Sequence, residues 1–343
     1  MTRAGPERRA RSGRTSTSRQ VYALLIGVAV LACALLASVM FGSRTTSFGD
    51  VLGVLSGTAD PYVTTVVESR YPRTALGLLA GLCLAVAGTL TQGVTRNPLA
   101  DPGLLGINAG AAASVVAATA FLGASGTTDT MWWALPGALL AGLVVHAIGS
   151  AGASTTPVRL VLAGAVLSAV LMAFIQAVTL SRPKVFDSYR YWVVGALGGR
   201  DFDVLLPVLP FAAFGLVIAL LLGPALNTMA LGDESAASLG AHPALVRGAG
   251  LFAATLLSAA ATAAVGPIAF VGLAVPHLVR ALVGVDFRLQ TAFSAVAGPA
   301  LLLLADVVGR VVLRPQELMV GVVTAFIGAP ALLYAVRRMR GTA

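Results

Sequence analysis

The sequence predicts an all-α integral membrane protein with about ten transmembrane helices, on three observations. Apolar residues make up 57% of the chain and charged residues only 11%, whereas about a quarter of a soluble domain is charged, and the mean hydropathy is +0.88. Apolar stretches of the ~20 residues that cross a bilayer recur along the whole chain. Both ends of the chain are rich in arginine, which is typical of an even number of crossings with both termini on the cytoplasmic side.

The apolar stretches predict ten helices, because lipid forces the backbone of a spanning segment to pair with itself. The predicted spans are 21–42, 74–94, 103–123, 131–150, 158–181, 203–223, 248–265, 267–285, 291–311 and 318–336. Around them we expect a cytoplasmic basic arm (1–20), a transmembrane domain (21–338) and a cytoplasmic tail (339–343). The first apolar stretch imitates a signal peptide, but it is too long for one and nine further spans follow it.

The break between the seventh and eighth spans rests on one dipeptide. The apolar run from Gly248 to Val285 contains no long polar loop, and as one helix it would be about 57 Å long, nearly twice a bilayer core of ~30 Å. Gly266-Pro267 lies in its middle and predicts the interruption.

The charges predict the orientation. On this topology fourteen of the 23 basic residues lie on the side of the termini, which the positive-inside rule assigns to the cytoplasm. A basic arm can also bind nucleic acid, but attraction to anionic lipid explains it more simply. We therefore expect membrane lipid, and no nucleic acid, as a partner.

The sequence shows no catalytic or metal-binding arrangement. Lys184 is the single lysine and lacks the glycine-rich context of a phosphate-binding loop. His146, His242 and His277 are scattered without metal-ligand spacing, and the two cysteines lie within apolar spans. We expect no enzyme activity, no cofactor and no metal, so an ATP-driven process would need a separate ATPase.

A polar turn between the second and third spans carries the most specific motif. Its residues Arg96, Asn97, Pro98, Asp101 and Pro102, in the order TRNPLADP, resemble the signature of the iron-siderophore and vitamin B12 family of ABC-importer permeases. The resemblance extends from Arg70-Tyr-Pro-Arg73 to the C-terminal segment near residue 338.

The resemblance implies the type II ABC-importer architecture at the bacterial cytoplasmic membrane. It implies a dimer with an identical or a different permease subunit, two ATP-binding subunits, and an extracytoplasmic substrate-binding protein. The implied substrate is an iron-siderophore complex, and vitamin B12 or haem is the alternative. A secondary transporter driven by an ion gradient would need its coupling site in this chain, for which Asp306 is the main candidate.

The long loop between the sixth and seventh spans (225–247) resembles the segment that docks on the ATPase subunit in this family. Glycines are expected to punctuate two short helices there. The coupling residues that the resemblance implies are Gly232, Asp233, Glu234, Ala237, Leu239 and Gly240.

Other motifs fit the same family. Tyr191-Trp192-Val-Val-Gly195 and Gly266-Pro267-Ile-Ala-Phe270 resemble family segments, whereas Phe287 stands where the family usually has histidine. The resemblance places a cytoplasmic gate at Thr155 and Thr156.

Arginines at the predicted outer face are further candidates. The resemblance implies that Arg70, Arg73 and Arg310 dock the binding protein through its carboxylates, with anchoring to lipid headgroups as the alternative. Asp306 lies four residues before Arg310 on one predicted helix, so a salt bridge is expected, because a carboxylate within a span needs a partner.

Overall fold

The computed structural model describes residues 17–42, 46–150 and 157–340, and within these ranges it is all-helical. The α-helices are α1 Thr17–Met40, α2 Phe48–Leu55, α3 Pro61–Glu68, α4 Arg70–Thr95, α5 Ile107–Ala117, α6 Gly126–Ser150, α7 Pro157–Ser181, α8 Pro183–Val193, α9 Phe202–Met229, α10 Asp233–Ser238, α11 Pro243–Val265, α12 Val271–Val283, α13 Phe287–Val312 and α14 Val320–Arg340. A 3₁₀ turn, Pro102–Leu105, precedes α5, and a π-helical turn, Ala118–Leu122, ends it.

Seven of the described helical segments are long and apolar enough to cross a membrane. Three shorter apolar segments, Ile107–Leu122, Val271–Val283 and Val320–Pro330, lie where the sequence predicts the third, eighth and tenth spans. Together they account for the ten predicted spans, so the predicted fold class is confirmed.

Two helices form the centre of the bundle. Within the most apolar window of α11, 83% of the residues are buried in the chain, and the window in α3 and α4 reaches 78%, against 11% for α1 and 22% for α7. α4 packs against α11 and α13, and α11 also packs against α9 and α6. α4 and α11 therefore contact most of the other long helices of the bundle.

The predicted break between the seventh and eighth spans is present. α11 ends at Val265, and α12 begins only at Val271. Gly266 has φ 79° and Phe270 φ 71°, so the backbone turns at both ends of the interruption. α4 passes this region closely, because a Cβ on Gly88 would lie 1.8 Å from the carbonyl oxygen of Gly272.

Several expected boundaries differ from the observed ones. α4 begins at Arg70 rather than 74, and the connection before it contains the short helices α2 and α3. A further helix, α8, lies between the fifth and sixth spans. These helices have 8 to 11 residues, too few to cross a bilayer, so the apolar-length criterion did not detect them.

Candidate functional site

The polar turn after α4 is closed by its own side chains. Arg96, the residue that follows α4, adopts a left-handed conformation with φ 49°, which ends the helix before Asn97-Pro98. The amide of Leu99 donates to Oδ1 of Asn97 at 3.0 Å. Asp101 then caps the 3₁₀ turn, because its Oδ1 accepts the amide of Gly103 at 2.7 Å. The motif residues therefore build a turn that redirects the chain from α4 into α5.

Asp101 is the one carboxyl of this motif, and its side chain is half-buried. Burial raises its pKa, and the hydrogen bond from the Gly103 amide opposes that shift. Gly272 of α12 lies beside it, since a Cβ there would be 3.4 Å from Oδ2 of Asp101. The turn is therefore packed against α12.

The coupling segment contains one short helix rather than two. α9 continues to Met229, past the expected end of its span, and α11 begins at Pro243, so the expectation of two short helices is wrong. Between them lies α10, flanked by Gly232 with φ 108° and Gly240 with φ 83°. The long apolar run of α9 carries the helix to Met229, because no residue after Pro224 interrupts it.

α10 presents most of its surface to the outside of the chain. Ala236 is fully buried and anchors the helix. Glu234, Ala237 and Leu239 are exposed, and Leu239 is 67% exposed. The six residues proposed for ATPase coupling thus lie together in one exposed segment.

Two arginines from the central helices bind Asp233 at the start of α10. Arg96 donates through Nη2 to Oδ1 of Asp233, and Arg247 of α11 donates through Nη2 to Oδ2 at 2.7 Å. These hydrogen bonds, with that from Arg247 the larger contribution, lower the pKa of Asp233. In the sequence, Arg96 and Asp233 belong to two separate motifs, and no role was predicted for Arg247.

A second connection at this end joins α9 to α13. Nδ2 of Asn227 donates to Oδ1 of Asp286 at 2.8 Å, and Oδ1 of Asn227 accepts a hydrogen bond from the amide of Phe287 at 2.7 Å. The ring of Phe287 packs on α4, where a Cβ on Gly93 would lie 2.7 Å from the ring. The residue that replaces the family's usual histidine therefore has a packing role.

Thr155 and Thr156, the predicted gate residues, lie outside the described residues. Their assignment stays a prediction. α6 and α7, which flank this segment, are both described.

A network of buried charges lies at the opposite end of α4, about 39 Å away by helix length. Arg73 donates from Nη2 to Oδ1 of Asp306 at 2.7 Å and from Nε to Oδ2 at 3.0 Å. Arg310 forms the expected salt bridge with Asp306, Nη2 to Oδ2, at 2.8 Å. Arg73 also binds Glu317, Nη1 to Oε2, at 2.7 Å. The sequence had indicated one partner for Asp306, and the structure shows two.

A cavity of about 510 Å³ opens beside this network. Arg70, Arg73 and Arg310, the three predicted docking residues, all line it, together with Arg200. Nη1 of Arg70 donates to the carbonyl oxygens of Val39 and Met40 at 2.6 and 2.8 Å. The structure thus brings the three predicted arginines together.

The predicted docking arginines differ in the exposure of their side chains, and Arg310 is too buried for direct docking. The side chain of Arg310 is 1% exposed, and that of Arg73 is 14% exposed. Arg310 is further held by the carbonyl oxygen of Ser38 at 2.8 Å. Direct pairing of Arg310 with another protein does not fit this geometry, because its side chain is almost completely buried within the chain. Arg73 is the more accessible of the two.

Two further family motifs and the start of α14 meet at the same end. The amide of Ala196 donates to the carbonyl oxygen of Val265 at 2.9 Å, and Arg200 donates to that of Ala264 at 2.6 Å. The segment after α8 therefore satisfies the carbonyls at the end of α11. A Cβ on Gly321 of α14 would lie 1.9 Å from the carbonyl oxygen of Val194, so the backbones of these segments are in direct contact.

The described architecture defines a multi-pass α-helical membrane protein with candidate functional residues at both ends of one central helix. Residues 30–338 match the FecCD transport family. The chain belongs to the FecCD transport family.

Curated relatives agree with this assignment. The chain is 46% identical to the ferric enterobactin transport system permease protein FepD of Escherichia coli (strain K12), over 92% of this chain and 94% of that protein. It is 36% identical to the probable siderophore transport system permease protein YfiZ of Bacillus subtilis (strain 168), over 90% and 93% of the two chains.

A solved structure shares the fold. An ABC transporter assigned to the metal-chelate type, in an inward-facing conformation, superposes with a TM-score of 0.81 at 25% identity, over 93% of this chain and 99% of that one. The chain is therefore a membrane permease component of an ABC transporter and is not itself the catalytic component.

Proposed function

We propose that this chain is the permease subunit of a bacterial importer that uses ATP to carry an iron-siderophore complex across the cytoplasmic membrane. The observation that carries the proposal is the 46% identity, over nearly the full length of both chains, to a ferric enterobactin permease. ATP hydrolysis belongs in this proposal to two separate ATP-binding subunits. The permease forms a dimer with an identical or a different subunit.

The alternatives receive less support. Several relatives are iron-siderophore or ferric citrate permeases, which favours a ferric chelate over vitamin B12 or haem. An ion-coupled secondary transporter would need an available carboxylate, and Asp306 is already held by Arg73 and Arg310. Family membership also favours the ATP-driven mechanism.

The orientation follows from charge and from the position of α10. We place both termini, the Arg96 turn and α10 on the cytoplasmic side, and the Arg73 network on the outer side. An exposed α10 with Ala237 and Leu239 at its surface suits contact with an ATP-binding subunit. Because α10 is anchored by the buried Ala236 and by the two arginine bonds to Asp233, it is suited to receive movement from a partner.

The arginine-lined cavity is the proposed docking face for an extracytoplasmic binding protein. Arginine presents a planar fork that binds carboxylates bidentately. Arg73 makes the direct contact in this proposal, and Arg70 contributes from the same cavity. Arg310 acts through Asp306, because its side chain is buried.

Thr155 and Thr156 form the proposed cytoplasmic gate, between α6 and α7. Cysteines at these positions are expected to cross-link between subunits in a nucleotide-dependent manner. Cross-linking that does not change with nucleotide would contradict a gate.

Transport by the native complex tests the function. The complex is isolated from its native membrane through a tag on this chain and reconstituted in liposomes with ATP inside and the co-expressed binding protein outside. We expect ATP-dependent uptake of ferric enterobactin or ferric citrate and none of vitamin B12. Iron uptake that is independent of ATP but follows an imposed ion gradient would overturn the proposal.

A further inference from the structure

We infer that Asp233 is a positioning residue that connects the coupling helix α10 to both central helices of the bundle. The inference rests on the proposed function of α10. Its observation is the Asp233 cluster, defined as Arg96, Asp233 and Arg247, in which one carboxylate bridges two arginines from different helices.

Each carboxylate oxygen of Asp233 binds a different arginine. Oδ1 of Asp233 accepts from Arg96, at the end of α4, and Oδ2 accepts from Arg247, in the second turn of α11. Charge-assisted bonds of this kind are about twice as strong as neutral ones. Since each oxygen serves a different helix, the carboxylate holds α10 against both helices at once.

The position of Asp233 makes these contacts important for α10. The helix has only six residues, and Ala236 is its one buried residue, so packing alone fixes it weakly. Asp233 stands in the first turn, where a negative charge also interacts favourably with the helix dipole. α4 and α11 are in turn the most buried helices of the bundle.

The arginines differ in how firmly they are held. The side chain of Arg247 is 12% exposed, whereas those of Arg96 and Asp233 are 37% and 45% exposed. The Arg247 bond is therefore the better shielded from solvent, and the Arg96 bond is more open to exchange. A displacement of α10 reaches α11 through Arg247 and α4 through Arg96.

The test is the amount of substrate transported per ATP hydrolysed by the reconstituted complex. In D233N we expect this ratio to fall at least about fivefold, the lower range of typical coupling between sites. The ATP-binding subunits should remain attached. D187N is the matched control, because Asp187 forms an exposed ion pair with Arg190 on α8, and its ratio should equal that of the unmodified complex.

A mutant cycle separates positioning from a general loss of structure. If Asp233 acts through its arginines, D233N added to R96Q/R247Q should cause no further loss, because the bonds are already absent. Hydrogen exchange of the amides of residues 233–240 should accelerate in D233N and remain unchanged in D187N.

The outcomes distinguish this inference from the proposed function. An unmodified complex without ATP-dependent transport defeats the proposed function. An unmodified complex that transports, with D233N matching it in both transport ratio and amide exchange, overturns the role of Asp233. Additive losses in the mutant cycle also overturn it.

Discussion

Arg73 and Asp306 are 233 positions apart, yet their side chains form a bidentate contact with distances of 2.7 and 3.0 Å. Arg73 belongs to the first turn of α4, and Asp306 to the second half of α13. Because Arg310 binds the same carboxylate, a single buried acid connects two arginines. The side chain of Asp306 is 1% exposed, so solvent screens these bonds little.

Replacing Asp306 by alanine should strongly destabilise the permease. The change leaves Arg73 and Arg310 without their shared partner in a buried site, and breaking a buried pair in this manner costs about 3–5 kcal/mol. Thermal unfolding in nanodiscs measures the effect. D187N serves as the control, since an exposed ion pair contributes only about 0–1 kcal/mol. Equal unfolding temperatures for D306A and D187N would contradict a structural role for Asp306.

Replacing Glu317 by glutamine should strengthen association with the binding protein. Glu317 occupies Nη1 of Arg73 at 2.7 Å, and its own side chain is 33% exposed, so it competes with an incoming carboxylate for the same donor. The expected gain is about two- to fivefold in affinity, the scale of one exposed ion pair. Affinity is measured on nanodiscs at low salt. The charge-reversed R73E should weaken association, and if neither variant changes affinity, Arg73 is not a docking residue.

Replacing Ala237 by glutamate should abolish substrate-stimulated ATP hydrolysis while the permease stays folded. Ala237 is exposed on α10, so a larger, charged side chain disturbs contact with a partner and leaves the interior of the chain intact. Gly240 gives a less direct test, because its φ of 83° strains any other residue. The measurement compares ATPase activity with and without loaded binding protein. Retained stimulation in A237E would exclude α10 as the coupling contact.

Asp101 should tolerate asparagine better than alanine. Asparagine keeps an oxygen for the Gly103 amide and removes the buried charge, whereas alanine loses the cap, at a cost of about 1 kcal/mol. Thermal unfolding at pH 7 should therefore rank D101N at or above the unmodified chain and D101A below it.

The same residue predicts a pH dependence with a defined sign. The pKa of Asp101 is raised in the folded chain, so its ionisation disfavours folding. The destabilisation is absent below the pKa of the unfolded chain and complete above the pKa of the folded one, and stability should fall as the pH rises between them. D101N should lack this part of the pH dependence. An identical pH profile for both chains would contradict a raised pKa.

Local signals in the sequence predicted much of the fold. The lengths of the apolar stretches predicted the spans, and Gly266-Pro267 predicted the break between α11 and α12. Both signals can be read from residues that are close together in the sequence. The same criterion did not detect α2, although Ser47 and Asp50 form a capping box whose spacing is visible in the sequence. A search for such caps, and for Asp60-Pro61 before α3, would have found these short helices.

The site was predicted less completely because its contacts are remote in sequence. Asp306 and Arg310 are four apart on one helix, so their pairing could be predicted, whereas no spacing rule relates either residue to Arg73. The family motifs identified Arg96 and Asp233 separately. Their contact depends on how the chain after α9 folds back onto α4, which only the three-dimensional structure shows.

The contact of the backbones of Val194 and Gly321, next to the interruption after Val265, also has a consequence for measuring motion. The amide of Gly321 donates to the carbonyl oxygen of Gly195 at 3.3 Å, and no side chain separates the two segments, so they cannot slide past one another without breaking this bond. We therefore expect this junction to stay fixed within the chain when other parts of it move. The distance from a probe near residue 196 to a probe on α10 should then report the displacement of α10 alone.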